Sequence, residues 1–469
     1  MKVYLTIDFG STYTKLTAID IDNEVILATS KDITTIEDDI MKGYNKAFES
    51  LKSEISKKVN FDEVDFVKKI ACSSAAGGLK MFAIGLVPDL TVEAAKKAAL
   101  GAGARVIKTY SYELSHREMK EIKESSADII LLAGGTDGGN KDCVLHNAKM
   151  IGEFGIEVPV VVAGNKSAVD EIEEVFKEKG IDYQVAENVL PQLKKLNVEP
   201  TREEIRKVFM NKIVEAKGLK NAEELVGDIV MPTPAAVLKA AQVLADGTDE
   251  ESGLGDLIIV DIGGATTDIH SIGKGEPTQP GVVLKGLEDP YSKRSVEGDL
   301  GMRYSALSLL EAAGSKKLRN YLKDSERKID IKERCLYRHD NIKMVPSSKE
   351  DFKFDESMAK AATELAMKRH CGFLECIYTP MGTMYHQTGK DLMEAPYIIG
   401  TGGVIVHSEN PSHILKAGNF DAGEPIYLRP KNPKFLIDKS YILSAMGLFA
   451  QEMPDMAVRI MKKYLVEAN

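Results

Sequence analysis

The chain opens on alternation. Val3, Leu5 and Ile7 fall on one side of an extended segment, a Gly-Ser-Thr turn follows, and a second extended run covers 15–20. A third short run occupies 24–28. Three such runs joined by tight turns predict consecutive antiparallel strands. The period then lengthens. Ile36, Ile40, Tyr44, Phe48, Leu51 and Ile55 recur at helical spacing, and an extended stretch returns at 67–72.

From about 80 to 195 the texture changes. Apolar strands over 80–86, 105–110, 128–133, 158–163 and 182–186 alternate with amphipathic helices near 92–101, 115–125, 141–153 and 166–179. Strand–helix units in succession imply a parallel sheet with right-handed crossovers. This block reads as an inserted flavodoxin/Rossmann-like α/β domain, and 200–218 as a charged helix leading out of it. Beyond it come a short strand at 228–231, the turn Pro232-Thr233-Pro234, a helix at 235–245 and a polar loop at 246–255. Residues 257–269 repeat the N-terminal pattern of apolar strand, Asp, glycines, hydroxyls and strand. Residues 300–370 are expected to be mostly helical, and the stretch holding Cys371 and Cys376 continues that reading. A last strand with a Gly-rich turn and a continuation spans 395–406. Helices at 438–451 and 454–466 close the chain.

Composition narrows the function classes. The 469 residues allow two to four domains with full cores, and 43% hydrophobic with 28% charged is ordinary for a globular protein. Lys+Arg total 61 and Asp+Glu 71, a net charge of -10. No broad cationic surface follows, which argues against nucleic acid as a partner. Five cysteines, at 72, 143, 335, 371 and 376, are too few and too scattered for a disulfide scaffold. The apolar start breaks at Asp8, too soon for a signal-peptide core, and no apolar run is long enough to span a membrane. The expected compartment is the cytoplasm.

The two similar hairpins carry the chemistry. They read Asp8-Phe9-Gly10-Ser11-Thr12 and Asp261-Ile262-Gly263-Gly264-Ala265-Thr266-Thr267. A Gly-rich turn between strands presents backbone N–H groups in an arc that suits phosphate oxygens. An Asp just before each turn would repel phosphate unless a divalent cation sat between them, and Mg²⁺ is commonly held by one or two carboxylates plus phosphates. Lys15 can reach a phosphate as a point charge. The glycines of Gly400-Thr401-Gly402-Gly403 allow close approach to a base or ribose. The expected site is therefore Asp8 and Asp261 on hydrated Mg²⁺, Gly10, Ser11, Thr12 and Lys15 on the phosphates from one side, Gly263, Gly264, Thr266 and Thr267 from the other, and 400–403 on the adenosine of ATP.

This order of motifs resembles the actin, sugar-kinase and heat-shock-70 ATPase superfamily. Asp8 to Lys15 looks like its first phosphate motif, Asp261 to Asp268 its second, Pro232-Thr233-Pro234-Ala235-Ala236-Val237 its first connecting motif, and Gly400 to Gly403 its adenosine motif. Within the superfamily the whole chain is most similar to the MutL (GlmL) family. The closer match rests on Leu132-Ala133-Gly134-Gly135-Thr136-Asp137-Gly138-Gly139-Asn140, Val162-Ala163-Gly164-Asn165 and Val296-Glu297-Gly298-Asp299-Leu300-Gly301-Met302-Arg303. The DNA mismatch-repair protein that shares the name is a different ATPase class.

The resemblance implies two ribonuclease-H-like lobes around ATP-Mg²⁺, with the α/β insertion on the first. The boundaries are 1–79 and 221–255 for the first lobe, 80–220 for the insertion and its helical bridge, and 256–469 for the second lobe. It also implies a reactivating chaperone for an adenosylcobalamin-dependent mutase, glutamate mutase or an aminomutase, promoting exchange of damaged cobalamin. One departure stands out. Heat-shock-70 ATPases carry a Glu where this chain has Met231, so slow hydrolysis is the expectation. A small-molecule kinase, an actin-like scaffold and a cluster-bearing dehydratase activator are the rival readings.

Overall fold

Strand β1 (Lys2–Phe9) is buried along all but its first residue, and its alternation sorts two faces. Val3, Leu5, Ile7 and Phe9 join Leu16 and Ala18 and meet the apolar stripe Ile40, Tyr44, Ala47, Leu51 and Ile55 of the helix Ile40–Ser56. Tyr4, Thr6 and Asp8 therefore point to the other face. There Tyr4 packs edge-on against Phe449 with ring centroids 5.0 Å apart. This computed structural model describes the chain apart from residues 11, 36–39, 75–78, 217–227, 323–328, 381 and 469, and the side chains of 211–216, 228 and 229.

The chain divides into two compact units. The first comprises Met1–Ala240, Gly286–Pro290 and Leu443–Ile460. Its first sheet adds β2 (Tyr13–Asp20), β3 (Val25–Ile33) and β4 (Asp65–Ser73) to β1. The second sheet uses β5 (Lys80–Gly85), β6 (Arg105–Ser111), β7 (Ile129–Leu132), β8 (Val160–Val162) and β9 (Tyr183–Val185). Strand β10 (Asp228–Pro232) then rejoins the first sheet beside β4, giving the order β10-β4-β1-β2-β3. The N-terminal hairpins are antiparallel, while β1, β4 and β10 run parallel.

The second sheet is parallel throughout, in the order β6-β5-β7-β8-β9. One face is packed by small residues, Ala94, Ala95, Ala98 and Ala99 of the helix Glu93–Gly101, which let that helix lie close. The other face takes Met119, Ile122, Ile151, Ile172 and Phe176 from the three remaining crossover helices. Local signals set those helices. Ser115 and Glu118 form a reciprocal capping box at the start of His116–Glu124, and left-handed Gly180 ends Val169–Lys179.

The second unit comprises Ala241–Lys285, Tyr291–Ile442 and Met461–Asn469. Its strands are β11 (Leu257–Ile262), β12 (Thr267–Ile272), β13 (Val282–Leu284), β14 (Ser292–Glu297), β15 (Phe373–Thr379), β16 (Gly382–Thr388), β17 (Tyr397–Thr401), β18 (Lys434–Ile437) and β19 (Val466–Glu467). The main sheet has the order β14-β12-β11-β17-β18-β19, and a smaller one the order β13-β16-β15. The long helix Lys349–His370 lies in the core of this unit through Phe354, Met358, Ala362, Ala366 and Met367.

Three expectations differ from what is observed. The helix around Cys371 stops at His370, and Phe373–Thr379 is a strand paired with β16. Gly372 and the strand-favouring Phe373, Ile377, Tyr378 and Thr379 favour that change. The turn after β17 leads into a short helix, Gly403–Val406. Residues 443–460, read from sequence as part of the second lobe, group with the first unit, where the helix Leu443–Phe449 covers the Tyr4–Asp8 face. Among the described residues no helix is long and apolar enough to cross a membrane.

Candidate functional site

Both hairpins close in the same way. Gly10 N donates to Tyr13 O at 3.1 Å, and Gly263 N donates to Thr266 O at 2.9 Å. In each case an Asp stands two residues ahead of the closing glycine. In each case its strand has an antiparallel neighbour on one side, β2 or β12, and a parallel one on the other, β4 or β17. The echo seen in sequence is thus an echo of sheet position as well as of turn chemistry.

In the first unit, one row crosses the sheet at the turn end: Lys31, Lys15, Asp8, Cys72 and Met231, each in register with the next. Residues in register project to the same face. Asp8 is buried, with 4% exposure, and both its oxygens are held. Thr233 Oγ1 donates to Oδ1 at 2.6 Å, Cys72 Sγ approaches Oδ1 at 3.6 Å, and Ser444 Oγ donates to Oδ2 at 3.0 Å. Lys15 Nζ lies 4.0 Å from Oδ2. Burial, and then the charge of Asp8, push the Cys72 thiol well above its ordinary pKa, so Cys72 serves here as a neutral neighbour. Thr12 is exposed beside the turn, and its carbonyl accepts from Thr34 N at 2.9 Å. Ser11 lies outside the described residues. Met231 is buried, and its sulfur accepts from Gln451 Nε2 at 3.8 Å.

In the second unit the corresponding row is Val296, Asp268, Asp261 and Thr401. Arg294 clamps Asp268 Oδ1 through Nε at 2.9 Å and Nη2 at 2.6 Å, while Thr266 Oγ1 donates to Oδ2 at 2.9 Å. Asp261 is half-buried next to this pair. Thr267 points inward instead: it is fully buried and donates to Leu300 O at 2.7 Å. Gly400 also lies inside, with no room for a side chain between it and Ile405 and Leu415. Thr401 is buried and contacts Asp438 at 3.5 Å. Gly402 adopts φ +95°, and a Cβ there would sit 2.3 Å from Ile262 O, so glycine is required for the strand end to approach β11. Gly403 is exposed. Of the third motif, Gly402 and Gly403 are thus the accessible half.

The segment 298–305 props the second turn from behind. Met302 N donates to Gly263 O at 3.0 Å, Arg303 N to Gly264 O at 2.8 Å, and Ser305 Oγ to Ala265 O at 2.7 Å. A Cβ on Gly301 would fall 2.3 Å from the Ala265 carbonyl carbon, so the chains touch backbone to backbone. The loop 134–140 has a comparable internal logic. Asn165 binds Gly138 N, Gly139 O and Asn140 O, and Asp137 Oδ1 accepts from Lys166 N and Asn188 Nδ2.

Sequence reasoning missed Ser444 and Cys72 as partners of Asp8, and it had Thr233 only as part of a motif. The available signal was a lone serine in the apolar run Leu443-Ser444-Ala445-Met446. Among the described residues no group of three or more His, Cys, Asp or Glu side chains is arranged to hold a metal. A cation at either turn would be bound by one or two carboxylates together with water and phosphate. The first turn, with a neighbouring ammonium and a carboxylate held in one orientation, fits a phosphate and a hydrated cation. His370 is held between Ser295 Oγ and Ser271 Oγ, both at 2.8 Å, and Cys335 and Cys371 are buried.

Comparison with known proteins gives the chain its place. The xylulose kinase of Lactobacillus acidophilus, crystallised with ligand, is 11% identical over 100% of this chain and 93% of its own, with a TM-score of 0.34. The activator of 2-hydroxyisocaproyl-CoA dehydratase from Clostridium difficile, solved with bound ADPNP, is 9% identical over 98% of this chain and 97% of its own, with a TM-score of 0.31. Protein MutL of Clostridium tetanomorphum is 64% identical over 467 residues, covering 100% of both chains. The family model described as MutL protein matches residues 4–465, and the chain belongs to that family.

Proposed function

We propose that this chain is an ATP-dependent reactivating chaperone for an adenosylcobalamin-dependent mutase, glutamate mutase or an aminomutase, and a slow ATPase. The observation that carries the nucleotide part is the repeated hairpin: the same acid, the same glycine closure and the same neighbours in two sheets. The strand orders support reading the two units as ribonuclease-H-like lobes of an actin-like ATPase. In that reading Gly10, Ser11, Thr12 and Lys15 bind the phosphates from one lobe, and Gly263, Gly264 and Thr266 from the other. Asp8 and Asp261 hold hydrated Mg²⁺, and Gly402 and Gly403 approach the adenosine. Thr267, Gly400 and Thr401 support those loops from within. Met231 in place of an acid supports slow turnover, since the buried thioether cannot activate water.

The parallel sheet is proposed as the inserted domain. Its order places β5 between β6 and β7, the doubly wound flavodoxin-like arrangement. We assign it the docking role, against or in place of the mutase's own α/β cobalamin domain. ATP drives exchange of damaged cobalamin only if its bound and free states differ in affinity for the mutase. The test is recovery of activity by inactivated holo-mutase given this protein, ATP-Mg²⁺ and fresh coenzyme. Recovery that requires all three supports the proposal. Recovery equal without the protein or without ATP overturns it.

A further inference from the structure

Strand β18 ends against the third motif, where Asp438 N donates to Gly400 O at 3.0 Å. The chain then turns toward the helix Leu443–Phe449. Asp438 is buried and closes that turn twice: its carbonyl accepts from Tyr441 N at 3.3 Å, and its Oδ1 from Ile442 N at 2.9 Å. Inside the turn Tyr441 has φ +53°, in the left-handed region that a bulky side chain rarely adopts. Glycine or asparagine would make the same turn at less cost. Strain of this kind persists where the surroundings hold it, and it gathers at ligand clamps. The half-buried Tyr441 side chain reaches back to the accessible half of 400–403: its hydroxyl lies 3.9 Å from where a Cβ on Gly403 would be. The ring packs against exposed His407, with centroids 6.2 Å apart and planes tilted by 47°. Gly402, Gly403, His407, Asp438 and Tyr441 all belong to the second unit.

We infer that Tyr441 recognises the base of the nucleotide, by stacking its ring on the adenine beside Gly402 and Gly403. The inference deepens the ATP reading above and rests on it. Glycines let a flat base come close but give it no side-chain surface. An aromatic face supplies that contact, and it does so without a charge or a hydrogen bond. Every base has a π-face, so Tyr441 separates a nucleotide from a bare polyphosphate, not adenine from guanine. The strained turn is thus the cost of placing a ring where the loop itself carries none.

The test is calorimetric titration of ATP and of inorganic triphosphate, each with Mg²⁺, into the full-length wild type, Tyr441→Phe, Tyr441→Asn and Tyr441→Leu, with unfolding midpoints alongside. Asn tolerates the left-handed backbone and Leu keeps apolar bulk, so the two ring-free variants guard against opposite ways of losing the fold. The wild type is expected to bind ATP more tightly than triphosphate. Both ring-free variants weaken ATP by about tenfold and leave triphosphate within about twofold. Tyr441→Phe, which keeps the ring, restores ATP binding. Unchanged ATP affinity in a folded ring-free variant, equal losses for the two ligands, or a wild type that binds both equally overturns the assignment and leaves the phosphate turns standing. Failure of both ring-free variants to fold makes Tyr441 a structural residue and overturns it too. A wild type that binds neither ligand overturns the ATP reading and this assignment with it.

Discussion

Thr233→Val deletes one hydroxyl and keeps the branched shape. Its effect can be worked from the environment of Asp8. The Thr233 hydrogen bond to Oδ1 is short, 2.6 Å, as expected when the acceptor is charged. Once it is gone, the partner left to Oδ1 among the described residues is the Cys72 thiol at 3.6 Å, a weak donor. The carboxylate is 4% exposed, so water does not readily replace the lost partner. Hydrogen bonds to charged groups contribute about 1.5–3 kcal/mol, and the expected loss is about 2 kcal/mol. For a unit of this size that is a fall of about 4–8 °C in unfolding temperature. Ser444→Ala, removing a longer 3.0 Å bond to the other oxygen, should cost about 1.5 kcal/mol, the low end of that range. The two effects should not add, because both bonds end on one carboxylate. Urea unfolding followed by circular dichroism measures the stability. Nucleotide titration at several Mg²⁺ concentrations measures the second consequence, a higher Mg²⁺ requirement once Asp8 is free to turn. Thr233→Val within about 0.5 kcal/mol of wild type would refute the idea that this hydroxyl holds the carboxylate.

Asp8→Asn and Asp261→Asn should each abolish metal-dependent ATP hydrolysis, measured as phosphate release; wild-type turnover in either removes that residue from the site. Gly301→Ala should destabilise the protein by more than about 2 kcal/mol and impair nucleotide binding, because the new methyl meets the Ala265 backbone at 2.3 Å. A normal urea midpoint would show that 298–305 does not brace the turn. His270 gives a pH dependence. Burial and then Arg294 depress its pKa from 6.5 to about 3, against the opposing pull of Asp268. Below pH 6.5 the unfolded chain takes up a proton that the native state refuses until about pH 3. Stability from this group is therefore complete above pH 6.5 and declines on acidification, approaching about 1.4 kcal/mol per pH unit. His270→Phe should flatten that decline between pH 6.5 and 5, as followed by urea unfolding, and an unchanged slope would exclude His270 as its source.

Much of the architecture was legible along the chain. The strands at 2–9, 13–20, 80–85 and 105–111 announce themselves because alternation is set between residues two apart, and the crossover helices because their stripes recur within four. Leu257–Ile262 was recognised as a second copy of β1 from its own residues. The small sheet of β13, β15 and β16 was not recognised. Val282–Leu284 is too short to show a period, and Phe373–Thr379 follows a 22-residue helix with no proline between them. Within the site, both acids and both closing glycines could be picked out in advance. The inward turn of Thr267 and Gly400 could not, because adjacent residues in a strand part to opposite faces and register decides which face is covered.

The order of amino acids settles that two acid-led glycine turns exist and which residue types they carry, since turn and strand preferences act over a few neighbours. It does not settle what surrounds them. Thr233 and Ser444 reach Asp8 from 225 and 436 positions away, and 298–305 comes to lie under the second turn through backbone contacts that any sequence without bulk could make. Burial supplies the physical reason. A carboxylate removed from water needs donors, and which distant hydroxyls provide them is chosen only when helices and sheets pack.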